Sequence, residues 1–294
     1  MTARTADSSL LSRLSPDRPL AFIGGGNMAS AILGGLVQRG LPPQALRVVE
    51  PFEEARQRLQ ASFGVQAQAA AGPELAGAAL VVWAVKPQTF KEAASQTAPH
   101  LVSGSAAGAD AALHLSVAAG IRSDSIASWL GSERVVRSMP NTPALVGQGM
   151  TALFARQAVT PADRALVEAV IAPTGDYLWV EQERQLDAVT ALSGSGPAYV
   201  FLFLEAMIEA GTQMGLSADQ AKRLAIATFS GAAALARDSS EPPSVLRERV
   251  TSKGGTTYAA LSAMQEAQVP QAFIAAMHAA GRRATELGDE FGKA

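Results

Sequence analysis

Residues 20–29 read Leu20-Ala21-Phe22-Ile23-Gly24-Gly25-Gly26-Asn27-Met28-Ala29, an apolar run broken by G-x-G-x-x-A and resumed as an amphipathic stretch. This pattern constrains the fold more than any other feature, because each small residue has its own steric task. Gly24 permits a tight turn, Gly26 lets the backbone approach a pyrophosphate, and Ala29 keeps helix and strand close. The helix N-terminus then presents free N–H groups to the anion. Ile23, Gly24, Gly25, Gly26, Asn27 and Met28 are therefore candidate cofactor-binding residues, and the ligand expected is NADPH or NADH. A glycine-rich turn without a ligand would satisfy the same ten residues. The strand and helix pattern downstream of Ala29 disfavours it.

Short apolar runs and longer amphipathic ones alternate: Leu20–Ile23, Ala29–Arg39, Leu46–Val49, Glu53–Phe63 and Leu80–Val85. This is β-α-β-α-β, and parallel strands joined by right-handed crossovers give a doubly wound sheet covered on both faces. Runs at Leu113–Ala118, Val135–Ser138, Met150–Phe154 and Tyr177–Val180 extend it, with a helical segment at Ala162–Ile171. Two strand-end copies, Ser105–Gly108 and Ser116–Gly120, compete for one place in the sheet. The second has the longer apolar lead, which leaves 102–112 as an enlarged loop. After about Glu181 the β-type runs stop, and Pro197–Gly215, Ala218–Arg237 and Pro270–Phe291 have helical spacing. The expected organisation is a loose tail at 1–17, a Rossmann-like dinucleotide-binding domain at 18–181, and an all-helical substrate-binding and dimerisation domain at 182–294. The fold class is α/β.

Composition removes several function classes. Apolar residues make up 48% and charged ones 17%, so the chain folds, and 24 basic against 26 acidic residues leave a charge of −2 without a basic field for nucleic acid. There is no cysteine, and His100, His114 and His278 are scattered, so no metal site is expected. The longest apolar run, Ala78–Val85, is too short to span a bilayer, and the first residues lack a signal-peptide core, which points to a cytoplasmic protein with a small-molecule partner.

The second strand ends in Val48-Val49-Glu50-Pro51, where the adenosine ribose of a bound dinucleotide lies. Glu50 either accepts from the ribose 2′-hydroxyl, favouring NADH and repelling a 2′-phosphate, or is a solvated strand-end residue facing elsewhere; the two readings are balanced. Ala84, Val85, Lys86 and Pro87 close the third strand at the carboxyl edge of the sheet and are candidates to line the cofactor. Ala118, Ala119 and Gly120 end the next strand and are carried with them. Asn141, between Pro140 and Pro143, lies in a stiff loop suited to holding an amide, although turn-making explains it nearly as well.

Four motifs give the chain a family resemblance: Val81–Gln88 (VVWAVKPQ), Val136–Pro143 (VRSMPNTP), Leu192–Tyr199 (LSGSGPAY) and Thr251–Thr257 (TSKGGTT). Together they resemble pyrroline-5-carboxylate reductase, from about Pro19 almost to the C-terminus. The resemblance implies NAD(P)H-dependent reduction of 1-pyrroline-5-carboxylate to L-proline, a Rossmann domain, and a helical domain through which subunits dimerise and assemble further. Three departures stand out. Lys253 replaces a proline common in the family, Ala71 replaces a cofactor-contacting asparagine of some members, and the doubled Ala-Ala-Gly segment resembles an insertion.

Thr251–Thr257 carries two glycines flanked by hydroxyl residues and then the helical Tyr258–Leu261, an exposed helix start able to receive a carboxylate. Composition alone favours a plain capped helix; the resemblance turns the reading to substrate. The carboxylate is assigned to the backbone of Gly254, Gly255 and Thr256 with help from Ser252, and a hydrogen bond at the ring nitrogen to Thr257, the catalytic candidate. Ser193 and Ser195 are weaker substrate-contact candidates, since both can cap the helix that begins at Pro197. A β-hydroxyacid dehydrogenase-like enzyme shares the overall plan but resembles others of its group in a catalytic lysine, and Ala198–Leu204 has none. A non-catalytic dinucleotide-binding protein is the other alternative.

Overall fold

The computed structural model describes residues 8–101 and 112–292. It divides into two compact units, one of Ser195–Ala280 and one holding 8–194 together with 281–292.

The larger unit is built on eight strands: β1 (Leu20–Ile23), β2 (Leu46–Val49), β3 (Ala67–Gln68), β4 (Leu80–Trp83), β5 (Leu113–Ser116), β6 (Val135–Met139), β7 (Gly149–Ala155) and β8 (Gly175–Trp179). Their order is β3-β2-β1-β4-β5-β6-β7-β8. Strands β1 to β6 are parallel, with the switch point between β1 and β4, as in dinucleotide-binding sheets. The four-residue strands β1 and β4 are buried along their whole length, which is why they read as continuous apolar runs rather than alternating ones. Helices α1 (Asn27–Gln38), α2 (Glu53–Phe63), α3 (Phe90–Leu101), α4 (Ser123–Leu130) and α5 (Pro161–Ile171) flank the sheet. Two apolar clusters form the core, one around Phe22, Ile32, Leu36 and Leu80, the other around Trp83, Phe90 and Ile126.

Several expectations are refined. Of the competing Ala-Ala-Gly copies, the second supplies β5; the first lies outside the described residues. The sheet is not parallel throughout, because β6 meets β7 antiparallel, Val136 opposite Ala155. Their connection holds only a short 3-10 turn at Thr142–Val146, and a parallel return needs a longer crossover. The tail expected over 1–17 is already structured from Ser8, where a 3-10 turn runs to Arg13 and Leu11 and Leu14 are buried. Apolar residues one turn apart give that segment a face to bury.

The larger unit also takes up α6 (Gln185–Val189) and a π-helical turn at Thr190–Gly194, with Leu186 fully buried. Packing thus divides the chain at Gly194/Ser195, later than the boundary placed at 181/182. The second unit is helical: α7 (Gly196–Gln213), α8 (Ala218–Asp238), α9 (Pro243–Arg249), α10 (Thr256–Glu266) and the first half of α11 (Val269–Gly292). Tyr199 and Phe203 pack edge-on against Phe273, joining α7 to α11 within it. The serines before α7 do not cap it: Ser195 has helical dihedrals, so the chain enters α7 already helical and the extended cap geometry is missing. The helical run Gln185–Gln213 is long and apolar enough by composition to cross a membrane, and few residues of its most apolar stretch are buried.

Candidate active site

The glycine loop has three different steric environments. At Gly24 φ is +98°, and a Cβ would stand 2.4 Å from the Ala84 carbonyl oxygen, so the turn between β1 and α1 closes only with glycine. Gly25 donates its N–H to the Glu50 carboxylate at 2.7 Å. Gly26 is exposed, has no heavy atom within 4 Å of a built Cβ, and precedes α1 with no side chain capping the helix. The uncapped N–H groups and the clear space above Gly26 fit a pyrophosphate, with the exposed Asn27 and half-buried Met28 beside it.

Of the two readings the sequence leaves open for Glu50, burial removes one. It is 6% exposed, which excludes a solvated strand end. Its Oε2 accepts from Gly25 and its Oε1 from the N–H of Phe52 at 2.9 Å, so the carboxylate ties the end of β2 to the phosphate loop. Phe52, which no sequence pattern singles out, is 74% exposed at the start of α2, a large apolar ring left open beside this loop.

Lys86 is exposed after β4 and begins the 3-10 turn Pro87–Thr89; Ala84, Val85 and Pro87 are half-buried around it. Ala118 is buried, Ala119 exposed, and Gly120, at φ +75°, lies against Leu287 and Phe291. All seven lie at the carboxyl edge of the sheet. Asn141 spends its whole amide on the protein: its nitrogen donates to the Ser193 hydroxyl at 3.1 Å and the Ser193 carbonyl at 3.3 Å, and its oxygen accepts from Met150. It fastens the β6–β7 loop to the π-helical turn, where a Cβ on Gly194 would strike Met139. Ser193 is half-buried and occupied by that contact.

In the helical unit Gly254, at φ +75°, turns the chain into α10, whose cap residue Gly255 has extended dihedrals and no side-chain cap. The Gly255 N–H donates to the Ser252 carbonyl at 3.0 Å, and the Ser252 hydroxyl stands where a Gly255 side chain would be. Ser252 and Thr256 are exposed and Thr257 half-buried. The first turn of α10 therefore offers uncapped N–H groups ringed by hydroxyls, a receptor for a carboxylate.

A sheet with this order, a glycine loop against an uncapped α1 and a helical second unit define a Rossmann-type dinucleotide-binding protein. Family models match both parts, pyrroline-5-carboxylate reductase dimerisation over 183–287 and NADP oxidoreductase, coenzyme F420-dependent, over 19–106. The pyrroline-5-carboxylate reductase of Pseudomonas aeruginosa is 42% identical over 93% of this chain and 98% of that protein, and that of Corynebacterium melassecola 39% over 92% and 98%. The chain belongs to the pyrroline-5-carboxylate reductase family. A solved pyrroline-5-carboxylate reductase from Coxiella burnetii superposes with TM-score 0.83 at 36% identity, covering 92% of this chain and 98% of that one. The Plasmodium falciparum enzyme, solved with NADP bound, does so with TM-score 0.80 at 27% identity, with the same coverage.

Proposed function

We propose that this protein is a cytoplasmic pyrroline-5-carboxylate reductase that converts 1-pyrroline-5-carboxylate to L-proline, the closing reduction of proline biosynthesis. The observation that carries the reading is the uncapped first turn of α10 behind Gly254 and Gly255, in a chain of this family. The dinucleotide, when bound in its reduced form, supplies hydride to the carbon of the C=N bond. Everything else falls to the chain. Gly26, Asn27 and Met28 at the α1 N-terminus would hold the pyrophosphate, with Gly24 closing the turn and the Gly25 N–H given to Glu50; Ala84–Pro87 and Ala118–Gly120 would line the cofactor; and Asn141 with Ser193 fastens the β6–β7 loop to the π-helical turn. Backbone N–H groups of Gly254 and Thr256, with the Ser252 hydroxyl, hold the substrate carboxylate, while the Gly255 N–H, which donates to the Ser252 carbonyl, shapes the turn.

A cyclic imine protonated on nitrogen is already electrophilic, so placement outweighs acid–base chemistry. Thr257 orients the ring nitrogen through its hydroxyl; an unperturbed threonine is a poor acid, and no proton need leave it. The exposed apolar faces of α7 and α8 are read as a subunit interface, giving a homodimer or larger homo-oligomer, and the apolar helix α7 belongs to that interface rather than to a bilayer. The test is oxidation of NADH and NADPH by the purified chain with and without pyrroline-5-carboxylate. Substrate-dependent oxidation with either cofactor supports the reading, and none with both overturns it.

A further inference from the structure

The turn that meets the adenosine ribose carries three carboxylates, Glu50, Glu53 and Glu54, against one guanidinium, Arg56. That guanidinium is already committed. Its Nη1 donates to the carbonyl oxygens of Glu50 at 2.9 Å and Pro51 at 2.7 Å, and its Nη2 to the Glu53 carboxylate at 2.8 Å. The arginine is 20% exposed and Glu53 71%, so the pair closes off the cation from the solvent side of the turn. Glu53 is held in turn by Gln57, whose amide donates to its second oxygen at 3.0 Å.

A 2′-phosphate is close to a dianion and is recognised by free Arg or Lys donors. Here it would face net negative charge. To reach it, Arg56 would leave two backbone carbonyls without their donor and Glu53 without its partner. An unphosphorylated ribose meets the opposite situation. Each Glu50 oxygen accepts a single backbone N–H, and a carboxylate has about four acceptor sites, so room remains for hydroxyl donors. The carboxylate is fixed before the ligand arrives, because Gly25 and Phe52 hold it from both sides.

We propose that residues 50–56 make this enzyme selective for NADH over NADPH, with Glu50 as the ribose acceptor and the Glu53–Arg56 pair as the element that withholds the cation a 2′-phosphate requires. The inference rests on the reductase reading, and two readouts keep their failures apart. One is calorimetric titration with ADP-ribose and with 2′-phospho-ADP-ribose, which involves no turnover. The other is the ratio of kcat/KM for NADH and NADPH with pyrroline-5-carboxylate. The unphosphorylated ligand is expected to win by about tenfold or more in both, the size of one uncompensated charge contact. Glu53→Gln, at an exposed position, weakens the hold on the Arg56 Nη2 and removes one negative charge, and both ratios should move toward the phosphorylated ligand by about threefold to tenfold. Equal or tighter binding of the 2′-phosphorylated ligand by the wild-type chain, or ratios unmoved by Glu53→Gln, would overturn the inference. Loss of turnover with both cofactors while the titrations keep their preference would instead strike the reductase reading.

Discussion

Thr257 is half-buried and His114 buried, and each makes a claim that a single substitution tests. Thr257 is half-buried in the first turn of an uncapped helix, and the proposed function gives its hydroxyl to the imine nitrogen. Thr257→Ala should lower kcat by roughly 10- to 1000-fold and leave the KM for the dinucleotide nearly unchanged, the pattern of a lost orienting donor. A helix-start role would instead remove about 1 kcal/mol of stability and spare turnover, so kcat and Tm on one preparation separate the two. His114 lies within β5, where its Nδ1 accepts from the Trp83 indole N–H at 3.2 Å. Burial, reinforced by the charge of Arg134, lowers its pKa from 6.5 to about 4. Between those values the unfolded chain binds the proton and the native one does not, so stability falls as pH drops through this window. Urea unfolding should show about 2 kcal/mol lost between pH 7 and pH 5 that His114→Gln does not lose. Equal losses in both proteins would place the acid sensitivity elsewhere.

At the scale of elements, Glu183 is the clearest case of a long-range tie. The helix α4 has no capping side chain of its own, and Glu183 supplies one from 60 residues away, accepting from the Ser123 N–H and hydroxyl, both at 2.6 Å. The same carboxylate pairs with Arg137 at 3.0 Å, whose side chain is 3% exposed. Glu183→Gln should therefore cost about 3 kcal/mol in chemical denaturation, since among the described residues it leaves Asp187, at 4.0 Å, as the one carboxylate paired with a buried guanidinium. A change below about 0.5 kcal/mol would show the pair to be dispensable. Nothing in the sequence announces this contact, because Glu183 sits in a polar stretch and its partners are on β6 and α4. What the sequence does carry is local. The runs at 20–23 and 80–83 are buried on both faces and so read as solid apolar blocks, and the spacing of Gly24, Gly26 and Ala29 fixes the turn between β1 and α1. Strand β3 has two residues and no pattern to find, and the antiparallel return of β7 is set by a connection too short for a crossover. Likewise Glu50 could be assigned to the ribose edge from its position after the second strand, but not to the Gly25 amide, which only the folded loop brings to it.

For the whole molecule, the decisive feature is apolar surface that the helical unit does not cover by itself. Phe201, Leu202, Leu224, Leu235 and Ile274 are each more than half exposed, while only small residues such as Gly211, Ala221 and Ala225 are buried in α7 and α8. Such a surface is expected to close on a second copy. Sedimentation at micromolar concentration should give at least twice the chain mass, and Leu202→Glu with Leu235→Glu should shift it toward the single chain; a wild-type monomer would contradict the interface. The central claim, hydride delivery to the C=N carbon of 1-pyrroline-5-carboxylate, is tested most directly by isotope transfer. With reduced cofactor bearing deuterium at the transferred position, the product is predicted to be L-proline carrying that deuterium on the ring carbon that was double-bonded to nitrogen. Proline without deuterium there, or cofactor oxidation with no proline formed, would contradict the account.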